Sequence, residues 1–257
     1  MTVKLRTTVV TGAGSGIGRA ISQLLTERGG RVIGVDLRGA ELTADLADEA
    51  GRIMAADRLL AEVPRIDAVI CCAGISLPDD GARALSVNFF GVTHLLARLL
   101  PRLVEAPAPR VVVTSSIASL FACDEALVAC CMADDEAGAR VIAARDGDGA
   151  YASSKRALTR WIRHTAPGAD WAGRGVLLNG VAPGTIKTAM ANPILATPEG
   201  RAALAQAAPL AVDDYADPED IAPLFAFLSG AESRFLVGQV PFVDGGSDVL
   251  LRGDEPL

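Results

Sequence analysis

The chain is poor in the residues that build metal and redox centres. It has two histidines, His94 and His164, in neither HxxxH nor HxH spacing. The nitrogen-rich ligand set of a zinc site is therefore not encoded, and no metal is expected. Its five cysteines are an odd number with no CxxC pair. That pattern argues against a disulfide framework and predicts small, mostly buried, free thiols in a reducing compartment. Aromatic residues make up only 4% of the sequence, so Val, Leu, Ile and Ala must form the core. Basic charge is not in excess, with 24 Lys and Arg against 31 Asp and Glu and a net charge of −7. Nucleic-acid binders need a concentrated basic face, so no such partner is expected. The opening MTVKLRTTVVTGAG has too short an apolar run for a signal peptide, and no later run approaches the length of a bilayer span. A cytoplasmic protein with no membrane partner is the expectation. Repeats and low-complexity linkers are absent as well.

What is present is alternation. TTVVTGAG, RVIGVDL, DAVICCAG, RVVVTSSI, GVLLNGVAPG and GQVPFVDGG are short apolar runs. Between them lie helical patterns such as GRAISQLLTERGG, ARALSVNFFGVTHLLARLLPRL and PEDIAPLFAFLSG. Continuous apolar strands separated by helices predict a parallel sheet covered on both faces, an α/β doubly wound domain of about seven strands. Ligands of such sheets bind beyond the carboxyl ends of the strands. Those ends read TGAGSGIG, VDLR, CCAGIS, TSSIAS and VAPGTIKT, glycine-rich and polar as a binding rim requires. All 257 residues fit one domain.

In TGAGSGIGRA, Gly12 permits a tight turn, Gly16 a close backbone approach to phosphate, and Gly18 close packing of helix on strand. The helix N-terminus offers free N–H groups and a positive dipole end to a pyrophosphate. Asp36 ends the second strand, where a carboxylate accepts the adenosine ribose hydroxyls and repels a 2′-phosphate. NAD is therefore favoured over NADP, although the Arg38 guanidinium could pair with that phosphate. Asp45 and Leu46 are read as ending a short third strand, with the carboxylate in reach of an adenine amino group or capping the next helix.

YASSKRAL places Tyr151 and Lys155 at i and i+4 on one helical face. A nearby ammonium favours the phenolate of a tyrosine. Tyr151 could then exchange a proton with a hydroxyl or carbonyl while hydride moves to or from a nicotinamide.

TGAGSGIG, Asp36, CCAG, Asn88 in SVNFFG, Ser116 in VVVTSSIAS, YASSK and VAPG occur in this order at strand ends and helix starts. The set resembles the short-chain dehydrogenase/reductase family over nearly the whole chain. The resemblance implies a Rossmann domain binding NAD(P), in which Tyr151 is the acid/base and Lys155 lowers its pKa and holds the nicotinamide ribose. It also implies that Ser116 positions the substrate oxygen and that Asn88 carries a water relaying protons. Cofactor contacts implied are Gly12, Ser15, Gly16, Ile17, Gly18, Asp36, Leu37, Asp45, Leu46, Cys72, Ala73, Gly74, Pro183, Gly184, Ile186 and Thr188, besides Tyr151 and Lys155. VDGG, Asp244 to Gly246, matches the family's last strand. The resemblance prefers Ser116 to Ser115, since the family's serine is the second of the SS pair; period-2 alternation also puts only one of them on the cleft side, which leaves Ser115 satisfied by local backbone.

GVDLRGAELTADLAD, LSVNFFG, the long segment before YASSKRALT and the short gap between CCAGIS and SVN are similar to the 3α-hydroxysteroid dehydrogenase/carbonyl reductase branch. Coniferyl-alcohol dehydrogenases look similar too. This implies NAD-linked interconversion of a secondary or aromatic alcohol and its carbonyl, with a small hydrophobic substrate, in a homodimer or homotetramer. NADP-dependent carbonyl reduction and a catalytically silent NAD-binding sensor or scaffold are the alternatives.

The chain departs from the family at Cys71 and Cys72, where asparagines are usual; thiols are expected there only to fill space. Pro167-Gly168 predicts a helix break. Residues 120–149 form an insertion, read as one added helix, with CDEALVACCMADDE as its first part. Asp124 caps it, Leu127, Cys131 and Val141 share its buried face, and Asp124, Glu125, Asp135 and Glu136 face water. Residues 185–216 are long enough for a substrate lid, with Met190, Ile194, Leu195 and Leu204 suited to an apolar substrate.

Overall fold

The computed structural model describes residues 5–255. Its frame is seven parallel strands: β1 Thr7–Thr11, β2 Arg31–Asp36, β3 Leu42–Thr43, β4 Ala68–Cys71, β5 Arg110–Thr114, β6 Leu177–Pro183 and β7 Phe242–Val243. They lie in the order β3-β2-β1-β4-β5-β6-β7. Chain order reverses between β1 and β4, which opens a crevice at their carboxyl ends.

The period-2 alternation of each strand builds two separate cores. Val9, Val69, Val111 and Val113 face one side; Val10, Ile70 and Val112 face the other. The second side is covered by α1 (Gly16–Glu27) and α10 (Pro218–Ser229), through Ile21, Ile221 and Phe225. The first side takes α2 (Glu49–Glu62), α4 (Gly91–Leu103) and α7 (Gly147–Thr165), through Leu59, Leu95, Leu99, Leu158 and Ile162. Because both faces are buried, the strands read as unbroken apolar runs.

Upstream of α4, α3 (Gly81–Leu85) and one π-helical turn (Ser86–Phe90) run into it without a break. This composite helix, Gly81–Leu103, is long and apolar enough to cross a membrane, which corrects the expectation that no run approaches that length. The helix lies in the core instead, with Phe89, Phe90 and Leu96 inaccessible.

Several boundaries shift. β3 stops at Thr43, and Asp45 and Leu46 follow it rather than end it. After Ala44 donates to the Asp36 carbonyl at 3.0 Å, the Asp45 carboxylate takes the Ala47 N–H at 2.9 Å and turns the chain away. The cap of α2 is Asp48, bonded to the Gly51 N–H at 2.7 Å. β7 is shorter than GQVPFVDGG suggests, since Pro241 has no N–H for a ladder. α7 begins earlier than the YASSKRAL pattern, capped by Asp146 on the Gly149 N–H at 3.0 Å, so residues 147–149 belong to this helix. It ends at Thr165, before Pro167.

Residues 120–149 hold two helices before α7, α5 (Glu125–Met132) and α6 (Glu136–Ala143), where one was expected. Asp134 between them adopts φ 59°, a left-handed conformation that ends a helix and that Asp tolerates better than most residues. Residues 185–216 carry α8 (Asn192–Leu195) and α9 (Pro198–Ala207); α11 (Ser247–Arg252) closes the described chain.

Candidate active site

The glycine-rich turn sits at the β1/β4 crevice. Gly12 has φ 72°, and a Cβ there would lie 2.7 Å from the Ala73 amide nitrogen. Both the left-handed backbone and the approach to β4 therefore require glycine. A Cβ on Gly18 would strike the Gly12 carbonyl, so α1 packs directly on the turn. The Ser15 side chain makes no cap bond to α1. The first-turn N–H groups, including those of Ile17 and Gly18, therefore have no side-chain acceptor from the N-cap. A Cβ on Gly16 would reach Thr188 Cγ2 at 3.3 Å, which places Thr188 beside the glycine turn. Pro183 ends β6, and Gly184 follows against Asp244. Ile186 is buried in the α1–α10 core.

Asp36 reaches across from β2. Its Oδ2 accepts the Gly14 N–H at 2.9 Å and its Oδ1 the Leu37 N–H at 2.6 Å. Gly14 escaped the sequence reading, although the extra glycine in GAGSG signalled it. Its missing Cβ leaves room for Arg38 O and the Asp36 carboxylate. Asp45 Oδ2 is held by Arg83 Nη2 at 2.7 Å. The carboxylate thus has a side-chain partner that the sequence did not reveal, and that partner, with the Ala47 N–H, holds it below its ordinary pKa against the opposing effect of desolvation.

The chemical end lies over β4 and β5. Cys72 does more than fill space: its Sγ is 3.0 Å from Thr114 Oγ1, joining the two strand ends as an asparagine would. Burial pushes its thiol up to about 12. The Ala73 N–H donates to Thr11 Oγ1 at 3.1 Å. Gly74 leaves the space where a Cβ would sit 3.3 Å from Asn88 Oδ1 and 3.6 Å from Lys155 Nζ. Asn88 lies on the π turn, a geometry frequent at functional sites. Its side chain clamps Ile75, with Oδ1 accepting from Ile75 N–H and Nδ2 donating to Ile75 O, both at 2.9 Å. Nδ2 also donates to Ser154 Oγ at 3.3 Å.

Ser116 Oγ accepts the Ala118 N–H at 3.1 Å, and its hydroxyl lies near enough to the Tyr151 phenol to favour its ionised form. Ser115 turns to α7, donating to Lys155 O at 3.3 Å and lying 2.7 Å from Thr159 Oγ1. Its partners are therefore on the neighbouring helix and not on local backbone. Lys155 is 4% exposed; Nζ donates to Thr114 O at 2.9 Å and lies 5.7 Å from the Tyr151 ring centre. Burial lowers its ammonium to about 8, offset in part by Cys72. Burial raises the Tyr151 phenol, and Ser116 opposes that rise. The expected depression of Tyr151 by Lys155 is not seen: burial raises the phenol, and only Ser116 opposes it. Thr114 had no sequence signal, since it acts through its backbone carbonyl.

The insertion packs beside this cleft. The Asp124 N–H donates to Ser153 Oγ at 2.9 Å, and its carboxylate caps α5 at Ala126 and Leu127. Leu127 and Cys131 are buried as expected, but Val141 is 61% exposed. Glu125 pairs with Arg160 of α7 at 2.7 Å. Glu136 faces inward, against the expectation of a water-facing carboxylate, and pairs with buried Arg52 at 2.6 Å. The ends of the 185–216 segment meet, with Ile186 bridging Ala216 and Lys187 pairing with Asp214 at 2.7 Å. α9 buries none of its residues; Met190 and Ile194 are exposed, and Leu195 and Leu204 half-buried. Among the described residues, no group of three or more His, Cys, Asp and Glu could hold a metal ion.

A parallel sheet with a glycine turn at its reversal point and a serine–tyrosine–lysine set over β5 defines a class that the comparisons identify. A family model described as short chain dehydrogenase matches residues 6–128, and one described as Enoyl-(Acyl carrier protein) reductase matches residues 135–248. A 3-alpha-hydroxysteroid dehydrogenase/carbonyl reductase of Comamonas testosteroni is 35% identical, over 95% of this chain and 97% of that protein. The crystal structure of a 3-alpha-hydroxysteroid dehydrogenase from Pseudomonas sp. B-0831 complexed with NADH has a TM-score of 0.91 at 35% identity, covering 97% of this chain and all of the other. A putative NAD(P) dependent gluconate 5-dehydrogenase from Beutenbergia cavernae with bound NADP has a TM-score of 0.77 at 29% identity, covering 96% of this chain and 98% of the other. The chain belongs to the short-chain dehydrogenase/reductase family and is an oxidoreductase of that class.

Proposed function

We propose that the protein is an NAD-linked dehydrogenase interconverting a small hydrophobic secondary or aromatic alcohol, steroids included, and its carbonyl compound. The observation that carries this reading is the meeting of Ser116, Tyr151 and Lys155 beside the open edge of Gly74. The crevice fits a nicotinamide dinucleotide. Pyrophosphate would lie on the α1 N-terminus and Thr188, the adenosine ribose on Asp36, and adenine against Asp45 and Leu46. Leu37, Cys72, Ala73, Gly74, Pro183, Gly184 and Ile186 would line the remainder. When bound, the nicotinamide supplies or takes up hydride.

The protein's own residues manage the proton and the geometry. Ser116 holds the substrate oxygen against Tyr151. The Tyr151 phenol, kept protonated by burial, is set to donate to a carbonyl oxygen in reduction. Oxidation needs the phenolate and therefore gains with rising pH. Lys155, buried and anchored on Thr114 O, would hold the nicotinamide ribose. Asn88 would order the water that returns a proton to Lys155. The 185–216 segment would close over the substrate, since its ends are tied together while α9 stays unburied. The insertion would shape substrate access or a subunit contact. A homodimer or homotetramer in the cytoplasm is the proposed setting, by family likeness.

NADP-dependent reduction draws on Arg38, whose exposed side chain lies two residues past Asp36. A silent sensor or scaffold needs none of Ser116, Tyr151 and Lys155. Fluorescence titration decides the cofactor, with NADH expected to bind at least about tenfold more tightly than NADPH. Tighter NADPH binding would overturn the assignment of Asp36. A screen of NAD reduction over steroid, aromatic and aliphatic secondary alcohols identifies the substrate class.

A further inference from the structure

The insertion reaches the cofactor crevice through one buried arginine. Arg52 lies on α2 and is 1% exposed. Its Nε donates to Leu46 O at 2.9 Å and its Nη2 to Ala47 O at 3.0 Å. Nη1 and Nη2 also grip the two oxygens of Glu136, each at 2.6 Å. His94 Nδ1 lies 3.1 Å from Nη1, and His94 Nε2 lies 2.8 Å from Asp134 Oδ1. One planar guanidinium therefore binds the loop after β3 on one edge and the first turn of α6 on another.

This arrangement has little freedom. A bidentate carboxylate–guanidinium pair fixes orientation as well as distance. Removing the carboxylate would leave a buried cation supported only by carbonyls and an imidazole, an expensive state that drives rearrangement. Arg52 cannot move without releasing Leu46 O and Ala47 O. Those two carbonyls define the backbone beside Asp45, whose own side chain is held by Arg83 and Ala47. Leu46 also packs on Gly91, where a Cβ would come within 3.1 Å of Leu46 Cβ and O. No other residue of the insertion bonds this loop among the hydrogen bonds of the described residues. Arg140, on the same helix, reaches Ser86 Oγ at 2.6 Å instead.

We propose that Glu136 is a positioning residue for the adenosine half of the cofactor, acting through Arg52 on the Leu46–Ala47 backbone. The insertion thereby sets cofactor affinity from outside the cofactor crevice. This rests on the reading of Asp45 and Leu46 as the adenine-contacting loop.

The test compares NADH with reduced nicotinamide mononucleotide, which lacks the adenosine half, in Glu136→Gln, Glu136→Asp, Arg140→Ala and Asp45→Ala. Glu136→Gln is expected to weaken NADH binding about tenfold while turnover supported by the mononucleotide stays within about twofold. Glu136→Asp should recover part of the loss, and Arg140→Ala should leave both cofactors unaffected. The proposal is overturned if Glu136→Gln binds NADH as the wild type does while Asp45→Ala does not. It is overturned equally if both cofactors weaken in parallel, which would mark a general loosening. Normal NADH binding by Asp45→Ala would instead remove the underlying reading of the loop, and the proposal with it. If Glu136→Gln does not fold, Arg52→Lys, which keeps the charge and loses the fork, carries the same expectations.

Discussion

Lys155 is costly where it stands. An ammonium buried with one carbonyl partner has its pKa lowered from 10.5 to about 8. That difference corresponds to roughly 3 kcal/mol against folding. Because the folded pKa is the lower one, the cost is fully present below pH 8. It fades as pH rises toward 10.5, so stability from this group increases over that window. Lys155→Met is accordingly expected to raise the stability of cofactor-free protein at pH 7 by about 2 kcal/mol, after one lost hydrogen bond. The gain should vanish near pH 10.5, and turnover should be lost throughout. Denaturant titrations at the two pH values check it. Tyr151, Lys155 and the three glycines were legible because their spacing is local to one turn or one helix. Arg52, Arg83 and Thr114 were not. Their partners lie far off in sequence or are backbone atoms, and neither leaves a mark in periodicity.

The glycine turn and the insertion show what an element demands. A Cβ at position 18 meets the Gly12 carbonyl, so Gly18→Ala must push α1 off β1. Stability is expected to fall by about 1–3 kcal/mol, with NADH affinity falling alongside it. Asp124 is milder: its carboxylate caps two N–H groups of α5. Asp124→Ala should cost about 1 kcal/mol in denaturant unfolding and leave turnover in place. The cap was readable from the sequence because Asp precedes an apolar run. The division of the insertion into two helices was not. A single residue, Asp134, switches backbone region there, and composition alone does not fix where a chain of good helix formers breaks. The inward turn of half-buried Glu136 was hidden for a related reason, since a carboxylate reads as solvated until a distant arginine is placed beside it.

At the scale of the whole molecule, the sheet order follows from alternation of apolar runs and helices, because a parallel crossover allows few other solutions. The strands facing two cores could be read as such, and the crevice then fell at their carboxyl ends. The 185–216 segment and the insertion fell outside that logic, as connections free of the sheet are constrained by neither period nor handedness. In the proposed function, the crevice brings dinucleotide, substrate and Tyr151 to one point. Rapid-mixing measurement of hydride transfer in Tyr151→Phe, on an alcohol found in the screen, tests it most directly. A loss of at least about a thousandfold in the hydride-transfer rate is expected, with NADH affinity within about twofold of wild type. A Tyr151→Phe enzyme that still transfers hydride at the wild-type rate would contradict it.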